Sequence, residues 1–321
     1  MALTPPPFDR EAAAALAMFD GSFPPFTSDT ITEHRQLGLA QVVSDEQLGR
    51  DGFFTVEDRT VPGPEGAPDI SLLICRSTTS VSPLPVVFYI HGGGMVMGDS
   101  RSTLDVVLDW AQELDAVVVS VEYRLAPEHP HPAPIEDVYA GLLWTAEHAD
   151  EIGGDAERIV VAGVSAGGGL AAALALLTRD RKGPRPIGQV LMSPMLDDRN
   201  DTPSVHQMAG LDLWDRAANE TGWTALLGAR RGAADVSPYA APARAEDLSG
   251  LPPAFLDVGS AETFRDEAVT YASRIWQAGG VGELHVWPGG FHGFEFNAPQ
   301  AAISVATRAA RVQWLRRLLV E

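Results

Sequence analysis

The alternation of strand-like and helix-like runs is what most narrows the fold of this sequence. From Phe53 onward, apolar runs of strand length follow one another at Phe53–Val56, Ile70–Cys75, Val86–Ile90, Ala116–Val121, Ile159–Ala162, Val190–Met192, Ala254–Val258 and Glu283–Trp287. The run Val117-Val118-Val119-Ser120-Val121 is almost continuous and β-branched, the pattern of a strand buried on both faces. Between these runs, apolar residues spaced three and four apart predict helices at Leu104–Leu114, Ile135–His148, Gly168–Thr178, Phe264–Ala278 and Ala301–Leu319. A strand rejoins its sheet in parallel only through a long crossover, usually a helix. The alternation therefore predicts an α/β protein with a mostly parallel eight-stranded sheet flanked by helices.

Two segments fall outside this pattern. The first fifty residues mix a Pro-rich start, an Ala-rich helical stretch at Glu11–Phe19 and the polar segment Ser28–His34, with no strand-like run. The gap from Leu196 to Leu251 is polar and Pro-rich, with one helical piece around Leu211–Leu227. The expected organisation is one core over residues 51–195 and 252–321, covered by a cap insertion at 196–251 that residues 1–50 join. With 45% apolar residues, the chain has ample material for one such core.

Charge and cysteine content exclude other uses. The net charge is −20 and Lys182 is the only lysine, so the surface repels phosphate backbones and no nucleic-acid partner is expected. Cys75 is the only cysteine, which rules out an internal disulfide and a cysteine-based metal cluster. No run of about 18 apolar residues is present, so no membrane partner is expected. The N-terminal MALTPPPFDR has neither a basic stretch nor a continuous apolar one. It does not read as a secretory signal, and a cytoplasmic setting is expected.

The chemistry begins at the fifth strand. Ile159-Val160-Val161-Ala162 runs into Gly163-Val164-Ser165-Ala166-Gly167, and an Ala-rich helix follows at once. G-x-S-x-G between strand and helix is a nucleophile elbow: a sharp turn exposes the serine at the top of the sheet. A side chain at position 163 or 167 would collide with neighbouring backbone. Ser165 also stands at a helix N-terminus, where free N–H groups favour developing negative charge. A second motif, His91-Gly92-Gly93-Gly94, directly follows the strand Val86–Ile90. Bare backbone there can approach a substrate oxygen, so the amides of Gly92 and Gly93, with that of Ala166, are the candidate oxyanion hole. His91 is read as orienting that loop.

A serine elbow of this kind is followed along the chain by an acid and then a histidine. Of the later histidines, His206 falls in the insertion and His285 inside the last strand. His292 follows the turn Trp287-Pro288-Gly289-Gly290-Phe291, beyond the strand end where the site must lie, and is the candidate base. Four carboxylates compete for the acid: Asp257, Glu262, Asp266 and Glu267. Asp257 is within a strand, and Asp266 and Glu267 fall in the following helix. Glu262, between Gly259-Ser260-Ala261 and the helix start, is preferred, with Asp266 as the alternative.

Together with Tyr123-Arg124-Leu125-Ala126-Pro127-Glu128, Ser193-Pro194-Met195-Leu196-Asp197-Asp198 and Phe291-His292-Gly293-Phe294, these motifs resemble the hormone-sensitive lipase (type IV) branch of bacterial esterases. The resemblance runs from about Pro85 to the C-terminus. It implies an α/β-hydrolase fold, a helical cap, no cofactor and no metal. The implied partner is a small-molecule ester, with short- to medium-chain acyl groups cleaved through an acyl-enzyme. Many members pair as homodimers through the last strand. Two positions depart from the family pattern: Val164 stands where Asp or Thr is usual, and Glu262 where the catalytic Asp is usual. The same machinery could cut amides or carbamates. A receptor that binds without hydrolysing is disfavoured by a triad whose three positions are all filled.

Overall fold

The β-branched runs assemble into one sheet in the order β1-β2-β4-β3-β5-β6-β7-β8. The computed structural model describes residues 3–19, 24–39, 43–81 and 83–320. The strands are β1 (Phe54–Val61), β2 (Ile70–Ser77), β3 (Leu84–Ile90), β4 (Val117–Glu122), β5 (Gly154–Val164), β6 (Gly188–Met192), β7 (Ala254–Gly259) and β8 (Gly282–Trp287). β2 is antiparallel to both β1 and β4, and every other neighbouring pair is parallel. Helices α1 (Arg10–Leu16), α2 (Ile31–Leu39) and α3 (Asp45–Gly49) precede the sheet. The crossovers hold α4 (Leu104–Leu114), α5 (Ala133–Glu147) and α6 (Ala166–Arg181). The insertion carries α7 (Pro203–Gln207) and α8 (Arg216–Leu227), and α9 (Arg265–Gln277), α10 (Phe294–Asn297) and α11 (Ala302–Val320) follow.

Period-two alternation divides the strands between two cores. Val87 and Tyr89 of β3 pack with Trp110 of α4 and Leu315 of α11. Val86, Phe88 and Ile90 face Leu142 of α5 and Leu174 of α6 on the other side. Fully burying one such side chain contributes about 1.5–3 kcal/mol, so both helical layers are held by the same few strands. Parallel strands joined by these crossovers all point their C-terminal ends to one edge, where the loops after β3, β5, β7 and β8 meet.

Three boundaries differ from the periodicity. β5 begins at Gly154, because the polar stretch Asp155–Arg158 extends the strand beyond its apolar part, with a register shift between Leu84 and Val86 of β3. The stretch expected as a helix from Leu211 becomes α8 only at Arg216, where the Asp215 carboxylate accepts from Ala217 N and Ala218 N at 3.0 Å each. The Glu11–Phe19 helix is α1 followed by a tighter turn at Ala17–Phe19.

The N-terminal segment lies against the insertion and the core. Phe26 and Trp214 rings stand 5.0 Å apart. Arg35 of α2 donates to Val96 O at 2.6 Å and Ala126 O at 2.7 Å, and pairs with Glu128 at 2.8 Å. Asp9 N donates to Gly289 O at 2.9 Å, in the turn before His292. Among the described residues, no helix is long and apolar enough to cross a membrane.

Candidate active site

Ser165 forms the bend between β5 and α6, with φ +58° and ψ −120°. An L-residue held there costs about 1–3 kcal/mol and persists only where its surroundings fix it. Ser165 N donates to Met192 O at 2.8 Å, and Met195 N donates to Ser165 O at 2.9 Å. The flanking glycines are required for space. A Cβ on Gly163 would lie 2.1 Å from Gly167 O, and one on Gly167 would lie 2.0 Å from Ile90 O.

The glycine loop after β3 lies directly beside the serine. A Cβ on Gly92 would come 3.4 Å from Ser165 Cβ, so the loop and the N-terminus of α6 line the same small space. Behind the loop, the His91 ring stacks on Tyr123 with centroids 4.2 Å apart, and its Nδ1–H donates to Gly92 O at 2.8 Å. Burial pushes the His91 pKa down to about 4, so the ring is a neutral strut at ordinary pH. Arg124 clamps Asp137 of α5 at 2.6–2.8 Å and secures the loop after β4.

His292 completes the geometry. Its Nε2 lies 3.0 Å from Ser165 Oγ and its Nδ1 2.9 Å from Glu262 Oε1. A carboxylate can only accept here, which places the proton on Nδ1 and leaves Nε2 free to accept from the serine hydroxyl. Glu262 is fully buried, and its Oε2 accepts from Ser193 Oγ at 2.9 Å and Gly259 N at 3.0 Å. Burial works against a charged His292 ring, but the charge and hydrogen bond of Glu262, with Asp212 nearby, hold its pKa above the usual histidine value. The His292 loop is anchored from below. Arg311 of α11 donates to Asp257 of β7 at 2.8 and 3.0 Å and to Glu295 of α10 at 2.8 Å, and all three are buried.

A serine elbow, a glycine loop beside it and a histidine–carboxylate pair thus meet at the C-terminal edge of the sheet. A family model described as the alpha/beta hydrolase fold matches residues 87–296. The chain belongs to the hormone-sensitive lipase (type IV) family of esterases. It is 37% identical over 286 residues to Carboxylesterase NlhH of Mycobacterium tuberculosis, covering 87% of each chain. Esterase LipI of the same species is 39% identical over 235 residues, covering 72% of each. Among solved structures, Bacterial Heroin Esterase superposes with a TM-score of 0.90 at 37% identity, covering 98% of both chains.

In this esterase-family chain, the competing residues are engaged elsewhere. A place in the first turn of α9 predicts that Asp266 caps its own helix. Instead its Oδ2 accepts from Ser204 N of α7 at 2.8 Å and its Oδ1 from Arg265 Nε at 2.8 Å. The N-terminus of α7 offers it the N–H of Ser204, from another element. Glu267 accepts from Leu196 N at 2.6 Å, and burial drives its pKa well up. His206 pairs with Asp201 at 2.7 Å, and His285 with Glu283 at 2.8 Å. Among the described residues, no group of three or more His, Cys, Asp or Glu side chains is placed to hold a metal ion.

Sequence reasoning missed three residues near the site. Ser193 sits in a quoted motif, but its bond to Glu262 follows from the β6–β7 pairing rather than from spacing. Arg311 lies on α11, and nothing near it in sequence marks that it binds Asp257 and Glu295. Asp212 stands between Leu211 and Leu213 in what reads as helix, and no local signal marks it.

Proposed function

We propose that this chain is a carboxylesterase for short- to medium-chain acyl esters, with Ser165 as nucleophile, His292 as base and Glu262 as the acid that orients it. One observation carries the proposal: the unbroken line from Glu262 Oε1 to His292 Nδ1 at 2.9 Å and from His292 Nε2 to Ser165 Oγ at 3.0 Å. His292 Nε2 takes the hydroxyl proton as Ser165 Oγ attacks the ester carbonyl. The oxyanion is received by the amides of Gly92, Gly93 and Ala166, each donor contributing about 3 kcal/mol to the transition state. The C–O bond to the alcohol breaks as His292 returns its proton to the leaving oxygen. Water then attacks the acyl-enzyme by the same route and releases the acid and free Ser165.

Residues 1–50 and 196–251 serve as the cap in this reading. Supporting it, a Cβ on Gly94 would lie 2.2 Å from the Trp214 ring, Phe26 backs that ring, and Ser165 is only 6% exposed. An aromatic wall so close to the glycine loop favours modest acyl chains. Pairing of two copies through β8, an edge strand with Val286 exposed on it and Val281 exposed just before it, and a cytoplasmic setting complete the proposal. Sedimentation velocity and cell fractionation test these two parts.

The decisive test of the mechanism is Ser165→Ala. Loss of a triad nucleophile costs on the order of 10⁴–10⁶ in kcat. A folded variant that retained more than about a tenth of the activity would refute the assignment. Stoichiometric labelling of Ser165 by an alkyl phosphonate is the independent check.

A further inference from the structure

One tripeptide of the insertion, Asp212-Leu213-Trp214, touches three parts of the site. Asp212 Oδ1 accepts from His292 N at 3.0 Å and from Leu213 N at 2.7 Å. Trp214 O accepts from Thr263 Oγ1, the neighbour of Glu262, at 2.7 Å. The Trp214 ring covers Gly94 in the glycine loop. Asp212 Oδ2 is buried and has no hydrogen-bond partner among the described residues. A buried carboxylate oxygen without a partner is unfavourable, unless a positive charge forms close by. During acyl transfer one does, on His292.

We infer that Asp212 is a positioning residue for the base: it holds the His292 backbone from the insertion and sets a second carboxylate, beside Glu262, near the imidazolium that forms in acyl transfer. The inference rests on the proposed roles of Ser165, Glu262 and His292. His292 is faced by Ser165 from α6, Glu262 from the loop after β7, Asp212 from the insertion and Glu295 from α10, with Arg311 of α11 bound to Glu295. Asp212 is faced in turn by His292 and Glu262, and no basic side chain hydrogen-bonds to it among the described residues. Burial pushes the Asp212 pKa up to about 7, with His292 pulling it down and Glu262 adding to the rise. Near neutral pH its charge therefore responds to the state of the ring. Removing that charge makes His292 give up its proton at lower pH.

Two substitutions separate charge from anchorage. Asp212→Asn keeps an oxygen to accept from His292 N and removes the charge, whereas Asp212→Ala removes both. The measurements are kcat/KM against pH with a short-chain p-nitrophenyl ester and the titration of the His292 ring by heteronuclear NMR. For Asp212→Asn, the acid limb and the ring titration should both move down by about one pH unit, as expected when a neighbouring opposite charge is lost. Asp212→Ala should show the same shift and a plateau about tenfold lower, for the lost backbone hydrogen bond. An acid limb and ring titration that coincide with wild type in Asp212→Asn would overturn the inference. A lowered plateau without any shift would overturn it too, since that is what a merely structural residue does. The Ser165→Ala result separates the two failures: an active Ser165→Ala removes the proposed mechanism, while the ring titration still judges Asp212 without any turnover.

Discussion

Replacing Glu262 by Gln should lower kcat/KM by about three to four orders of magnitude, and the hydrogen bonds around the side chain give the reason. Glu262 Oε2 accepts from Gly259 N at 3.0 Å and Ser193 Oγ at 2.9 Å, while Oε1 faces His292 Nδ1 at 2.9 Å. A glutamine must choose. With its oxygen at the Oε2 position it satisfies Gly259 N, and its NH₂ then faces Nδ1, which forces the His292 proton onto Nε2. That tautomer cannot accept from Ser165. The flipped amide keeps the useful tautomer but sets NH₂ against the fixed Gly259 N–H; Ser193 can rotate to accept, and the backbone cannot. A buried unmatched donor costs about 1–3 kcal/mol, which favours the wrong tautomer about 5- to 150-fold. Losing the carboxylate beside the imidazolium removes a further tenfold to thousandfold, about one to three pKa units of stabilisation. The two together centre on about 10³–10⁴, near the effect typical of a neutralised triad acid. The assay is initial-rate hydrolysis of a short-chain p-nitrophenyl ester, with Asp266→Asn alongside. Asp266 accepts from Ser204 N and Arg265 Nε, so its loss should lower stability by about 1 kcal/mol and leave kcat/KM within about threefold. A large loss in Asp266→Asn with a small one in Glu262→Gln would refute the assignment of the acid.

Three further outcomes follow from the same contacts. The His292 pKa is held above the ordinary value near 6.5 and the base works only when neutral. Activity should thus be present above that pKa and fall as pH drops through it; a kcat/KM acid limb centred below about 6 would contradict this. Arg311→Met leaves Asp257 and Glu295 buried without their cation. Urea unfolding should show a loss of about 3–5 kcal/mol, and a change under 1 kcal/mol would show that the cluster does not hold the His292 loop. Deleting residues 1–43 removes Phe26 from behind Trp214 and Arg35 from Glu128. Preference along a series of p-nitrophenyl acyl chains should broaden or shift, and an unchanged profile would remove that segment from the cap.

Much of the molecule was legible because its information is local. The central strands announce themselves as β-branched runs since both faces are buried, and the elbow glycines at 163 and 167 are fixed by contacts within a few residues or across one strand pair. Glu262 could be preferred over Asp266 from loop position alone. The physical ground was different from the one the helix start suggests, because Asp266 serves α7 and not α9. What stayed hidden depends on chain segments far apart in sequence. The N-terminal half of β5 is polar, so periodicity did not mark it. Leu211 and Trp214 stand three apart, a helical spacing, yet the chain there runs through turns that bring it to His292, Thr263 and Gly94, and α8 starts only after Asp215. Nothing in the sequence near position 212 records that its partner is the amide of residue 292.

The order of these pieces along the chain bears on how the protein is made. The glycine loop at 92–94 and Ser165 are translated well before Glu262 and His292, which arrive with β7 and β8, the strands at the outer end of the sheet. A nascent chain leaving the ribosome therefore carries its serine as an ordinary alcohol, with no imidazole to draw off the proton. In the proposed mechanism that hydroxyl becomes reactive only when β8 has docked and the turn after it has closed, bringing His292 Nε2 to within 3.0 Å. On the proposed mechanism, fragments abandoned during translation, or clipped ahead of His292, should be inert toward esters.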